Sequence, residues 1–163
     1  MAAKQSAGVL LFRRTGGPGG GGLEVLLVHP GGPFWARKDD GAWSIPKGEY
    51  GAPGELDGEE ALEAAVREFE EETGHPVPAG DRLELGTLKQ PGGKVVAAWA
   101  VEGSIDADAI TSNTFELEWP PRSGKRASFP EVDRAGWFGL PEARTKILKG
   151  QAEFLDRLTA LLG

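Results

Sequence analysis

Three glutamates, Glu68, Glu71 and Glu72, stand at i, i+3, i+4 in the run Arg67-Glu68-Phe69-Glu70-Glu71-Glu72-Thr73-Gly74, which puts four carboxylates into eight residues. On a helix turning about 100° per residue, with Leu62 at zero, Val66, Phe69 and Thr73 fall within about 40° of it and predict a core-facing stripe. Glu68, Glu71 and Glu72 fall near about 240°, 180° and 280°, one ridge flanking that stripe. Glu63 and Glu70 point elsewhere, near about 100° and 80°, as solvated residues. Like charges at this spacing cost roughly 0.2–0.5 kcal/mol per pair on an exposed helix, and more where water is partly excluded. Geometry alone leaves two explanations open. Either Arg67 and nearby lysines neutralise a solvated ridge, or a hard divalent cation, Mg²⁺ or Mn²⁺, takes oxygen ligands from all three carboxylates.

The rest of the composition narrows the chemistry. The chain has 163 residues with 39% hydrophobic and 26% charged, which suits one domain with a sizeable core. Its formal net charge of -7 argues against stable nucleic-acid binding, and an anionic substrate would need a local cationic patch or a bound metal. Cysteine is absent, which excludes disulfides, zinc-thiolate sites and cysteine nucleophiles. The two histidines, His29 and His75, are too few for a histidine-rich metal site. No run is long and apolar enough for a membrane span, and the first residues lack a signal-peptide pattern, so a cytoplasmic location is expected.

The elements that must position the carboxylates can be read in order. Residues 6–14 and 23–29 are Val/Leu-rich at strand length and are joined by the flexible loop 16–22, predicting a hairpin or neighbouring strands. That loop matches G-x-G-x-x-G at Gly17, Gly19 and Gly22, but a strand follows where a nucleotide-binding loop needs a helix. Gly124-Lys125 likewise lacks the context of a phosphate-binding P-loop. Residues 30–42 form a long loop, and 43–50 a short strand ending in a turn. Asp57 and Glu60 resemble a capping box, so a helix is expected from about residue 58 to 73, stopped by Gly74. Residues 83–90 and 94–103 predict a strand pair turning at Pro91-Gly92-Gly93; 104–130 reads as mostly irregular. A short strand over 134–140, a helix over 141–148 with proline in its first turn, and a helical stripe in the tail complete the chain. Mixed strands and about three helices predict an α/β or α+β fold.

Glu59, seven residues, then REFEEETG resembles the C-terminal part of the Nudix box, G-x5-E-x7-R-E-U-x-E-E-x-G-U, with U bulky and apolar. Two departures stand out. The last U position is His75, and ten residues separate the box glycine, Gly48, from Glu59 where the pattern has five. A five-residue insertion in an enlarged loop over 49–58 accounts for the difference, and loops absorb such insertions at small entropic cost. Trp43-Ser44-Ile45-Pro46-Lys47-Gly48 is similar to the strand end preceding the box in MutT-like and diadenosine-polyphosphate hydrolases. Glu131, Trp137 and Pro141-Glu142-Ala143 resemble a segment near the family's C-terminus.

The resemblance implies a single Nudix domain over 1–163, an α/β/α sandwich around a central mixed β-sheet. It implies that Glu68, Glu71 and Glu72 bind Mg²⁺ (or Mn²⁺), aided by the Lys47 backbone carbonyl and by Glu131. Glu71, Glu72 and Glu131 become the catalytic candidates, and Glu59, Arg67 and Gly48 orient the helix and admit the chain close to the metal. Candidate phosphate contacts are Lys47, Arg37, Lys38, Arg122, Lys125 and Arg126; candidate base-stacking residues are Trp35, Phe34, Phe115 and Trp119. The implied reaction is metal-dependent hydrolysis of a nucleoside diphosphate linked to another group, with a small nucleotide as substrate. The Pro-Lys-Gly element ranks nucleoside triphosphates or dinucleoside polyphosphates first. Pro91, sixteen residues after His75, keeps ADP-ribose second, and the sole tyrosine, Tyr50, does not supply the downstream tyrosine of many diadenosine-polyphosphate hydrolases. A nucleotide- or partner-binding domain without turnover, and a purely structural cation site, are the readings from other classes.

Overall fold

A computed structural model describes residues 5–15, 22–50 and 60–162. Strands β1 (Gln5–Thr15) and β2 (Gly22–Pro30) form an antiparallel hairpin with Thr15 opposite Gly22. Then come β3 (Lys47–Tyr50), helix α1 (Ala61–Thr73), β4 (Leu83–Lys89), β5 (Val95–Glu102), β6 (Thr114–Glu118), β7 (Arg126–Pro130), β8 (Val132–Gly139), α2 (Leu140–Lys146) and α3 (Glu153–Leu162). The main sheet runs β4-β5-β1-β2-β8, with β3 also paired to β1. Among the described strands, β1 and β5 run parallel and the other pairs are antiparallel, so the sheet is mixed.

Helices cover both faces of that sheet, which explains why β1 reads as a nearly continuous apolar run. Val9 and Leu11 face one way, with Ala64, Ala65 and Phe69 of α1. Leu10 and Phe12 face the other, with Ile45, Ala143, Phe154, Leu155 and Leu158. The α/β/α expectation therefore holds. β1 is long enough to change partner along one edge: residues 12–15 pair with β2 and residues 5–8 with β3. Between them, Val9 N–H donates to the Pro46 carbonyl at 3.1 Å. The chain entering β3 is thus seated beside the end of β2.

Several expectations need correction. The helix expected from residue 58 begins at Ala61, with Glu60 at the N-cap in extended geometry and no side-chain cap. Asp57 and the Glu59 position lie outside the described residues, as do Gly17, Gly19 and residues 51–58 of the enlarged loop. The strand expected over 43–50 is regular only from Lys47; Trp43 and Ser44 make single bridges, to Ile147 and Val28. The segment 104–130, read as irregular, contains a separate two-stranded sheet, β6 with β7. Its alternation was masked by Pro120, Pro121 and Gly124 at the turn and by glutamates on its outer face. The helix stop is as expected: Gly74 is left-handed at φ 76° and its N–H returns to the Glu70 carbonyl.

The largest difference is the rotation of α1. Its buried residues are Ala64, Ala65, Glu68, Phe69 and Thr73, whereas Leu62 and Val66 are only partly buried. Ala64 and Ala65 let the helix approach β1 closely, turning the core face away from Leu62 toward the glutamate ridge. Glu68 and Glu72 consequently lie on the buried side rather than flanking it, while Glu63 and Glu70 are exposed as expected. Ala65→Leu should force this close contact apart and cost about 1–3 kcal/mol, read as a lower urea midpoint with an unchanged slope.

Candidate active site

The site forms where the C-terminal half of α1 crosses the start of β3. Glu68 is 9% exposed, and its carboxyl group lies over Gly48, where a Cβ would overlap it. Glycine at this position is thus a steric requirement for burying the carboxylate. Arg67 Nη1 donates to Glu68 Oε1 at 2.8 Å and reaches both Glu71 oxygens at 3.4 Å. Glu72 turns to the strand, and its Oε1 accepts the Lys47 backbone N–H at 3.2 Å.

This partial pairing leaves the cluster electrostatically stressed. Burial, followed by the neighbouring Glu71 charge, holds the Glu68 carboxyl above the usual range. Burial pushes Glu72 up to about 8 despite the Lys47 N–H, with the Glu68 and Glu131 charges adding to the rise. Arg67 therefore does neutralise part of the ridge, as the solvated-face explanation required, yet Glu72 is left outside its reach.

Glu131 arrives from the far side of the sequence. Asn113 N–H donates to the Glu71 carbonyl at 3.0 Å, and Glu131 N–H donates to the Asn113 carbonyl at 2.8 Å. Ser112 Oγ accepts the Val132 N–H at 3.1 Å and donates to the Val132 carbonyl. The two ends of the β6–β7 hairpin are thereby pinned together on the last turn of α1. The Glu131 carboxylate makes no hydrogen bond or ion pair among the described residues.

Glu72, Glu131 and Lys47 share one cavity of about 190 Å³ with Trp35, Ser44, Val28, Val132 and Leu148. Four of the sequence-derived candidates are thus brought together. Glu68 and Glu71 stand behind them on α1 and do not line it. Arg37 and Lys38 sit on the exposed loop after β2, with the Lys38 ammonium 5.0 Å from the centre of the Trp35 ring. Arg122, Lys125 and Arg126 are at the exposed hairpin tip, away from the cavity lining, and Arg126 reaches Glu116 at 3.5 Å. Phe34 packs edge-on against Trp119 at 5.6 Å, tying the loop to the hairpin.

Sequence reasoning missed Asn113, which carries the link from α1 to Glu131, and Gln151, which is fully buried. Gln151 Oε1 accepts the Ile45 N–H at 3.0 Å, and its amide donates to Ser44 Oγ on the cavity wall. Neither residue has a local signal, because each acts on backbone from a distant element.

Among the described residues no three Asp, Glu or His side chains converge into a ready cage. The donor set nonetheless suits a hard cation that keeps much of its water. It supplies carboxylate oxygens, charge-stressed by burial and mutual repulsion, beside an open cavity.

This architecture defines a mixed-sheet α/β/α protein with an acidic helix facing a pocket. A model of the NUDIX domain matches residues 3–158, and the chain belongs to that family. It is 33% identical over 123 residues to the 8-oxo-(d)GTP phosphatase of Mycolicibacterium smegmatis, a match covering 72% of this chain and 34% of that protein. The chain thus spans about a third of the length of that curated relative. The fold is shared with a C. elegans Ap4A hydrolase solved as a binary complex, with a TM-score of 0.63 at 20% identity over 98% of each chain. It is shared also with the NUDIX domain of Shewanella oneidensis NrtR solved with ADP ribose, with a TM-score of 0.64 at 16% identity over 100% of this chain and 90% of that one.

A raised carboxyl pKa has a definite sign in stability. Folded Glu72 holds its proton more tightly than the unfolded chain, so its contribution falls as pH climbs from about 4.5 to about 8. In chelator-treated protein, Glu72→Gln should be more stable than the parent by on the order of 1 kcal/mol or more at pH 8. The two should converge near pH 4.5, as read by urea titration at each pH.

Proposed function

We propose that this chain is a Nudix hydrolase that cleaves a phosphoanhydride bond in a nucleoside diphosphate linked to another group. Nucleoside triphosphates and dinucleoside polyphosphates are the first-ranked substrates. The observation that carries this reading is the cavity shared by Glu72, Glu131, Lys47 and Trp35, with the Glu68–Arg67–Glu71 group on the same helix as Glu72. The similarity to an 8-oxo-(d)GTP phosphatase supports the triphosphate class.

In this reading Glu68, Glu71, Glu72 and the Lys47 carbonyl, with Glu131, would hold a divalent cation, Mg²⁺ or Mn²⁺. When bound, the ion supplies charge neutralisation on the phosphates and acidifies a water. Lys47 places a cationic side chain on the cavity wall to meet phosphate oxygens. Trp35 offers an aromatic face to the base. Glu131, whose carboxylate makes no hydrogen bond or ion pair among the described residues, takes the proton from the attacking water, while Glu72 is held by the Lys47 N–H as a ligand. Arg67 keeps Glu68 and Glu71 oriented and limits their repulsion. The reaction breaks a P–O bond with water as the nucleophile and needs no covalent intermediate. Arg37 and Lys38 on the loop, and Arg122, Lys125 and Arg126 at the hairpin tip, are at most outlying contacts to a long polyphosphate.

Turnover of 8-oxo-dGTP, other triphosphates, Ap4A and ADP-ribose should be compared with Mg²⁺ and with excess chelator. Hydrolysis should be abolished by the chelator, and Glu131→Gln and Glu72→Gln should each lower kcat by roughly 10²-fold or more. Silence on every substrate would defeat the hydrolase reading, while metal-independent turnover or undiminished turnover in Glu72→Gln would defeat the assignment of the metal site. Preference for ADP-ribose would instead select the second-ranked substrate class.

A further inference from the structure

His29 is one of the few polar residues with no solvent exposure, and the site described above makes no use of it. Both ring nitrogens are engaged. Nε2 lies 2.6 Å from the Lys38 carbonyl oxygen, and Nδ1 lies 2.8 Å from Asp133 Oδ1. A carbonyl can only accept, so Nε2 carries a hydrogen and donates it, and the proton between Nδ1 and the Asp133 carboxylate belongs to that second bond. The ring is also packed edge-on to Trp43 at 5.2 Å. The ring therefore has one orientation toward the loop.

That loop, residues 31–42, leads from β2 toward β3 and carries Trp35. Its far end is tied independently. Asp39 accepts from Trp43 Nε1 at 2.8 Å and from Lys146 Nζ at 2.6 Å, and Gly41 N–H donates to the Thr145 carbonyl at 2.9 Å. Those ties all lie beyond Lys38. Nearer the cavity, Lys38 N–H closes a turn on the Trp35 carbonyl at 3.0 Å, and the Lys38 ammonium folds over the Trp35 ring. The same peptide stretch is thus clamped to Trp35 on one side and to a buried, fixed imidazole on the other.

We infer that His29 is a positioning residue for the substrate pocket, its Nε2–H bond to the Lys38 carbonyl setting where the Trp35 ring stands beside Glu72 and Glu131. The inference rests on the reading above that this cavity takes a nucleotide. Its consequence is specific: substrate affinity, rather than the chemical step, depends on the Nε2 donor. The Nδ1–Asp133 bond orients the ring and is secondary.

Two variants separate these bonds. The amide of His29→Gln reaches the Nε2 position and keeps the donor to Lys38; that of His29→Asn reaches only the Nδ1 position. In the full chain with Mg²⁺ and 8-oxo-dGTP, His29→Asn should raise KM about fivefold with kcat within about twofold, while His29→Gln stays within about twofold in both. Placed on Trp35→Ala, His29→Asn should raise KM no further. Equal losses in the two variants, or an undiminished effect without Trp35, overturn the inference. Equilibrium binding of α,β-methylene-dGTP gives the same comparison as Kd, so a protein that binds without turnover defeats only the hydrolase reading. Turnover with no His29 dependence defeats only this inference, and absence of both turnover and binding defeats both. Should the variants fail to fold, ¹⁵N-histidine NMR of the parent protein decides. The Nε2–H resonance should shift when α,β-methylene-dGTP binds, and a resonance that stays unmoved while the Trp35 indole shifts overturns the proposal.

Discussion

Burying carboxylates in a helix–sheet interface is the constraint around which the site is organised. An ionised glutamate pressed against a strand survives only with compensating hydrogen bonds, a counter-charge or a proton. Hydrogen bonds and a counter-charge both appear here. Gly48 gives the Glu68 carboxyl space, Arg67 supplies charge to Glu68 and Glu71, and Lys47 N–H reaches Glu72, whose remaining stress shows in its elevated pKa. Each compensation comes from a residue beside the box glycine or within the helix itself. The unusual length of chain between Gly48 and α1 therefore does not disturb the pairing of strand and helix. A divalent ion would relieve the same stress, which is why acidic burial and metal affinity belong to one design.

The cavity in front of that helix is assembled from parts that are far apart in sequence. β1 changes partner from β2 to β3 and seats the Pro46–Lys47 turn beside the end of β2. Asn113 fastens the base of the β6–β7 hairpin to α1 and thereby places Glu131. Gln151, just before α3, holds the backbone at Ile45 and the Ser44 hydroxyl. The wall opposite is the loop carrying Phe34 and Trp35, joined to the hairpin through Trp119 and to the sheet through His29. Small rearrangements of hairpin or loop would reach the pocket directly, since both end on residues that line it.

The boundaries between legible and illegible features follow range. β1, β2 and β5 were visible because buried strands need consecutive apolar residues, β4 because its leucines alternate with polar residues, and the end of α1 because glycine suits its left-handed cap. The Nudix-like carboxylate spacing was equally plain, since i, i+3 and i+4 neighbours are fixed by the helix itself. The β6–β7 hairpin was hidden because only one of its faces is apolar and that face packs on a loop, not on the main core.

By itself, then, the sequence determined which side chains lie together along α1, which strand end carries the glycine, and that the chain resembles a family built on those features. Local geometry sets all of these within a turn or a few residues. Tertiary structure decided the rotation of α1, because the choice between Leu62 and the two alanines depends on how closely β1 can approach. It also decided that Glu131, Trp35 and Lys47 share a cavity with Glu72 while the hairpin-tip cations do not, and that His29 is a buried two-sided anchor. Those outcomes depend on contacts between residues separated by up to about a hundred positions, for which no spacing rule exists in the chain.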